Sequence, residues 1–119
     1  MATLSKGAAG EVLAARFLRE NGYDILAANY RCRFGEIDII AADDAYIIFT
    51  EVKTRKPDAL YTPREAVNLA KQQRILKTAQ HYLQWRPCEL QPRFDVIEVT
   101  ATPEDPLVAL KIEHLKNAY

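Results

Sequence analysis

The sequence predicts an α/β fold, a mixed central β-sheet flanked by helices, on three observations. Extended runs rich in β-branched and aromatic residues are set between two helical stretches. Two of those runs meet at the polar pair Asp43-Asp44, as an antiparallel hairpin requires. A long helical stretch then separates the third run from the fourth, leaving room for a right-handed crossover between parallel strands.

The elements justify themselves in order. Residues 5–20 space their apolar side chains as an amphipathic helix, and Asn21-Gly22 suits a left-handed C-terminal cap. Extended segments follow at 23–30, 35–42 and 45–54. With a turn at Asp43-Asp44, Asp38 faces Phe49 and Glu36 faces Glu51, which leaves Asp38 diagonal to Glu51. A helix is expected over 63–86: Thr62 and Glu65 form a capping box, and Pro63 takes the first helical position. Its apolar stripe runs through Leu69, Ile75, Leu76, Ala79, Tyr82 and Leu83. A strand at 93–100 places Asp95 at an exposed parity, and 107–115 reads as a strand or short helix. Pro87, Pro92, Pro103 and Pro106 fall at the breaks.

One strand carries charge where hydrophobes belong. Along Tyr46 to Thr54, Glu51 and Lys53 share a face with Ile47 and Phe49. Ionised groups aimed at a core are costly unless they are paired or hold a metal. Asp38, on the neighbouring strand, is placed to join them, because an even hairpin loop keeps it on the same face. A charged cross-strand cluster without chemistry is the plainer reading of the same residues.

Asp38, then Glu51-Val52-Lys53 a dozen residues on, resembles the catalytic signature of the PD-(D/E)xK nuclease superfamily. A likeness over nearly the whole chain adds specificity. Glu11, Asn29-Tyr30-Arg31, Gly35-Glu36-Ile37-Asp38, Glu51-Val52-Lys53-Thr54-Arg55, Lys71 with Arg74-Ile75, and Arg93-Phe94-Asp95-Val96 together resemble the YraN-like family. These are small bacterial proteins described as candidate endonucleases related to archaeal Holliday junction resolvases. The resemblance implies a restriction-endonuclease-like core and a metal-dependent endonuclease acting on DNA, with branched or structured DNA as a substrate form. A non-catalytic nucleic-acid-binding or scaffold domain that kept the fold is the alternative.

Residue chemistry assigns the roles. Asp38 and Glu51 offer hard oxygen ligands suited to Mg²⁺ or Mn²⁺. Lys53 could orient an attacking water or stabilise charge on the transition state. The resemblance adds the Val52 carbonyl as a ligand and extends the metal cluster to Glu11. Glu11 lies on or beside the apolar stripe of the first helix, although an acid in a helix's first turns is also favoured by the dipole. Glu36, at the strand's mouth on the Asp38 face, is read as a partner in the second layer, beside Lys53 or Arg55, with a metal or water ligand as the alternative. Gln72, in the middle of the apolar stripe, is read either as a core amide bonded to backbone or as a group near the ion and phosphate. Arg31, Arg33, Arg55, Lys71 and Arg74, with Lys56, Arg64 and Thr78 nearby, could form a basic rim for phosphates. Solvated surface charges are the ordinary fate of such residues.

Composition bounds the rest. A chain of 119 residues is expected to be one domain, 1–119, large enough to bury roughly two-thirds of its unfolded surface. Sixteen basic and sixteen acidic side chains cancel, so attraction for a polyanion has to come from segregated charge. No signal peptide or membrane span is evident, which sets the expected address as cytoplasmic. Cys32 and Cys88 lack metal or redox spacing, and His81 and His114 are expected to pack or face solvent. The resolvase likeness brings a homodimer as an expectation, with Trp85 and Tyr119 as candidate contacts.

Overall fold

The computed structural model describes residues 5–57, 68–102, 104 and 108–119, without the side chain of Lys6. Helix α1 (Lys6–Glu20) precedes β1 (Asp24–Cys32), β2 (Gly35–Ala42) and β3 (Tyr46–Arg55). Helix α2 (Leu69–Trp85), β4 (Gln91–Ala101) and β5 (Ala109–Leu115) follow. The strands form one five-stranded mixed sheet in the order β1-β2-β3-β4-β5. Neighbours are antiparallel except β3 and β4, which run parallel across the α2 connection. This is the expected mixed α/β arrangement, compatible with a restriction-endonuclease-like core.

Local chemistry explains the boundaries. Ser5 Oγ accepts from Ala8 N–H and starts α1. At the other end Tyr23 N–H donates to Leu18 C=O and Gly22 N–H to Arg19 C=O, with Gly22 at φ 89. That is a Schellman cap, and its paired hydrophobes Leu18 and Tyr23 are both buried. Asn68 caps α2, accepting from Lys71 N–H in an extended conformation with ψ 172. The helix expected from Pro63 therefore does not run through this point. Thr62, Pro63, Arg64 and Glu65 lie outside the described residues.

Strand β3 is buried on both faces, as a strand between two covered layers should be. Ile48 joins Ala14, Leu18, Ile39, Ile97 and Val99 under α1, whereas Ile47 and Phe49 join Ile40, Ile75, Ala79, Tyr82 and Val96 under α2. Each such fully buried aliphatic or aromatic side chain is worth about 1.5–3 kcal/mol relative to exposure. Helix α2 uses fewer of its hydrophobes than the spacing suggested. Leu69 is 68% and Leu76 46% exposed, while Thr78 is buried and bonds back to Arg74 C=O.

The β2–β3 hairpin turns later than expected. Asp43 N–H donates to Tyr46 C=O, and Asp43 Oδ1 accepts from Ala45 N–H and Tyr46 N–H. Ile40, not Asp38, consequently faces Phe49. The shift preserves parity along the paired stretch, and Asp38 moves from diagonal to the next position in line with Glu51, just beyond the last pair Ile39↔Thr50.

Candidate active site

The β2–β3 ladder runs from Ala42↔Ile47 to Ile39↔Thr50. At the next position Asp38 turns its carboxylate to the strand: Oδ2 accepts from Val52 N–H at 2.8 Å. Beyond it β2 remains paired with β1 through Tyr30↔Ile37 and Arg31↔Glu36, and β3 remains paired with β4 as far as Arg55↔Thr100. Glu51-Val52-Lys53 thus stays on a rigid strand beside the point where Asp38 reaches across.

A hollow of about 430 Å³ lies there, lined by Ser5, Gly7, Ala8, Glu11, Asn29, Arg31, Glu36, Asp38, Glu51 and Val52. Helix α1 supplies one wall because Gly10 lets it lie close on β3. A Cβ at Gly10 would overlap Thr54 Oγ1. The next residue, Glu11, hydrogen-bonds the Asp38 carboxyl. The first turn of α1 also lines the hollow through Ser5, Gly7 and Ala8, a feature that residue-by-residue reading of the sequence missed.

The electrostatics are unusual for a resting surface. Burial, the Glu51 charge and Glu11 push the Asp38 carboxyl up to about 7, against the opposing pull of Val52 N–H. Glu51 is 8% exposed and takes two ammoniums on Oε1: Lys53 at 3.2 Å and, in closer contact, Lys71. Burial works against the Lys71 charge and is the largest single influence on it, but the hydrogen bond to Glu51 and the charges of Glu51 and Asp38 together outweigh it and raise that pKa. Lys71, read from the sequence as a rim residue, therefore reaches into the site. The signal was available in its place just after the α2 N-cap, but its partner lies twenty residues away.

The donor set suits a hard divalent cation. Asp38, Glu51 and Glu11 present carboxyl oxygens to one hollow, and two touching carboxyls need a proton or a cation between them. Among the described residues, no three acidic, His or Cys side chains are already drawn into a metal cage.

The other expected site residues fall in three places. Glu36 lines the hollow and ion-pairs Arg31 at 2.9 Å, both largely exposed. Arg33 and Arg74 are exposed, Arg33 beside the β1–β2 turn and Arg74 with its stem near Gly35. Arg55 is not on the rim: it ion-pairs Glu98, which is 3% exposed on β4. Gln72 lines a separate apolar groove of about 290 Å³ with Leu69, Gln73, Leu76, Phe94 and Tyr119.

Asp95, expected at an exposed parity, is completely buried. Arg93 holds both of its oxygens, at 2.9 and 2.8 Å, and also reaches Tyr23 Oη at 3.0 Å. His114 Nε2 and Asn117 N–H complete the set at 2.7 and 2.9 Å. Burial alone would raise the Asp95 pKa, but these bonds bring it below its ordinary value. His114 is thus a buried clamp residue, and His81 bonds Tyr30 Oη at 2.6 Å. Cys32 and Cys88 are both free thiols. Among the described residues no helix is long and apolar enough to cross a membrane.

Comparison with known proteins places this geometry in a family. The model of the Uncharacterised protein family UPF0102 matches residues 10–99, which include Glu11, Asp38, Glu51 and Lys53. A UPF0102 protein of Caldanaerobacter subterraneus is 46% identical over 95% of this chain and 93% of its own. Another, from Syntrophus aciditrophicus, is 47% identical over 98% of this chain and 89% of its own. A third, from Nocardia farcinica, is 49% identical over 95% and 87%. The chain belongs to the UPF0102 family, the YraN family that its motifs resemble.

Proposed function

We propose that the protein is a Mg²⁺- or Mn²⁺-dependent endonuclease that hydrolyses DNA phosphodiester bonds, with branched or structured DNA as its substrate. The observation that carries the reading is the convergence of Asp38, Glu51 and Glu11 on one open hollow, with the Lys53 ammonium 3.2 Å from Glu51 Oε1. An ion bound there would polarise a phosphate oxygen and make a water more acidic. Asp38 and Glu51 supply its oxygens, with Glu11 and the Val52 carbonyl as further ligands. The Lys53 ammonium, held by Glu51, orients the attacking water or meets charge that develops on the phosphate. The N-terminal turn of α1 faces the same space and favours an anionic group. Arg31, Arg33 and Arg74 extend phosphate contacts outward, and Lys71 partners the Glu51 carboxylate until a cation takes its place. A symmetric two-strand cut would call for a homodimer, and DNA of the cell places the work in the cytoplasm.

A second reading draws on Lys71. Its pairing with Glu51 already neutralises one acid, as in a nucleic-acid-binding domain that has lost turnover. Metal titration calorimetry and cleavage of linear, flapped and four-way DNA separate the two. Wild type cleaves with Mg²⁺ or Mn²⁺. Lys53→Ala keeps metal binding and loses about 10²–10³-fold in rate, whereas Asp38→Ala loses both. Equal cleavage by all three would sink the assignment. DNA affinity that survives Asp38→Ala, with no preparation cutting, would establish the binding-only reading.

A further inference from the structure

Beside the hollow, a run of three contacting rings is flanked by two arginines. Arg33 lies 4.8 Å from the Phe34 ring, Phe34 6.3 Å from His81, His81 6.1 Å from Tyr30, and Arg86 5.6 Å from Tyr30 and 4.9 Å from Tyr82. The Tyr30–His81 hydrogen bond ties the β1–β2 hairpin to α2 and fixes the middle of this run. Arg74 and Lys77 stand on the same helix stripe as His81, at helical spacing. Helix α2 contains no Asp or Glu, although acids and bases balance over the whole chain. Charge is therefore segregated, and Arg31 and Glu36 join this face to the hollow.

We infer that this face is a binding track for unpaired nucleotides, which leads a single-stranded segment to the acidic hollow. The inference rests on the reading of that hollow as a nucleic-acid site. Segregated cations meet phosphates without regard to sequence. Half-buried Tyr30, Phe34 and His81, with exposed Arg33 and Arg86 over the rings, offer flat surfaces on which bases stack. A base paired in a duplex cannot lend its face to a ring, so such surfaces favour unpaired nucleotides.

Fluorescence anisotropy tests this with a labelled thymidine oligonucleotide and a duplex of equal length, in EDTA so that neither is cut. The wild type binds the single strand more tightly. Phe34→Leu, which keeps apolar packing and removes the ring, weakens single-strand binding about tenfold and duplex binding less than about twofold. Arg33→Gln with Arg86→Gln, both at exposed positions, weakens binding and flattens its salt dependence. Lys111→Gln, an exposed cation elsewhere, changes neither. Thermal melts of each variant verify the fold. Equal wild-type affinity for both probes, or single-strand affinity unchanged by Phe34→Leu and by the arginine pair, overturns the track. Cleavage without single-strand preference removes the track and leaves the nuclease. Single-strand preference lost with Phe34→Leu but kept in Asp38→Ala, with no cleavage by any preparation, supports the track and removes the nuclease.

Discussion

Asp38 and Asp95 are the same residue on two strands of one sheet, in opposite surroundings. Asp95 is sealed from solvent and meets Arg93, His114 and Asn117 N–H, so its charge is held and its pKa falls. Asp38 faces a hollow shared with Glu11 and Glu51, has one backbone donor, and its pKa rises to about 7. The difference teaches how to tell a structural acid from a working one. Burial by itself does not decide it, because the more buried acid is the better satisfied. An acid left among acids at an opening stores repulsion that a ligand can relieve, and such perturbed groups concentrate at functional sites.

The sharpest way to break this contrast is Asp95→Ala. It leaves Arg93 and His114 facing each other in the interior and costs about 3–5 kcal/mol, read as the urea midpoint multiplied by the slope. Wild-type stability from Asp95 is complete above the ordinary Asp value, near 3.9, and fades as pH falls through the lower folded value. The variant loses that acid limb. A midpoint that declines below pH 4 as steeply in the variant as in wild type would show that Asp95 is not the clamp.

Gly10→Ala acts on the Asp38 side without touching a charge. The new Cβ meets Thr54 Oγ1 and forces α1 off β3, which costs about 1–3 kcal/mol and carries Glu11 away from Asp38. Thr54→Ala added to it removes the overlap and restores most of the stability. If the double variant is no more stable than Gly10→Ala alone, close helix approach does not set this wall.

Asp38→Asn gives the smallest effect, with the opposite sign. The unfolded chain releases the Asp38 proton near the ordinary Asp value and the folded protein near 7, so rising pH between those values weakens the fold. The amide still accepts from Val52 N–H and carries no charge. At pH 8, without metal, its melting midpoint rises by a few degrees, the shift that about 1 kcal/mol produces in a domain of this size. At pH 4 the gain disappears. A variant less stable than wild type at pH 8 would mean that Asp38 is a satisfied structural acid like Asp95.

Much of the candidate site was legible because strand parity is local. The period of two in β3 settles that Glu51 and Lys53 share a face with Ile47 and Phe49, and it survives a displaced turn. The sheet class was legible for a similar reason: hairpin, helix and a following strand leave few topologies. Asn21-Gly22 announced the end of α1 through its own backbone chemistry.

What the sequence by itself determined is thus the class of the sheet and the phase of β3, which residues point together along it. The tertiary structure alone decided who meets whom. Lys71 on Glu51, Arg55 on Glu98, and His114 on Asp95 are pairings between separate elements. Local periodicity carries no information about a partner in another element. Asp95 shows the physical reason most plainly: parity marks it as an outward acid, but Arg93, His114 and Asn117 N–H arrive from three points of the chain and make its burial affordable in free energy.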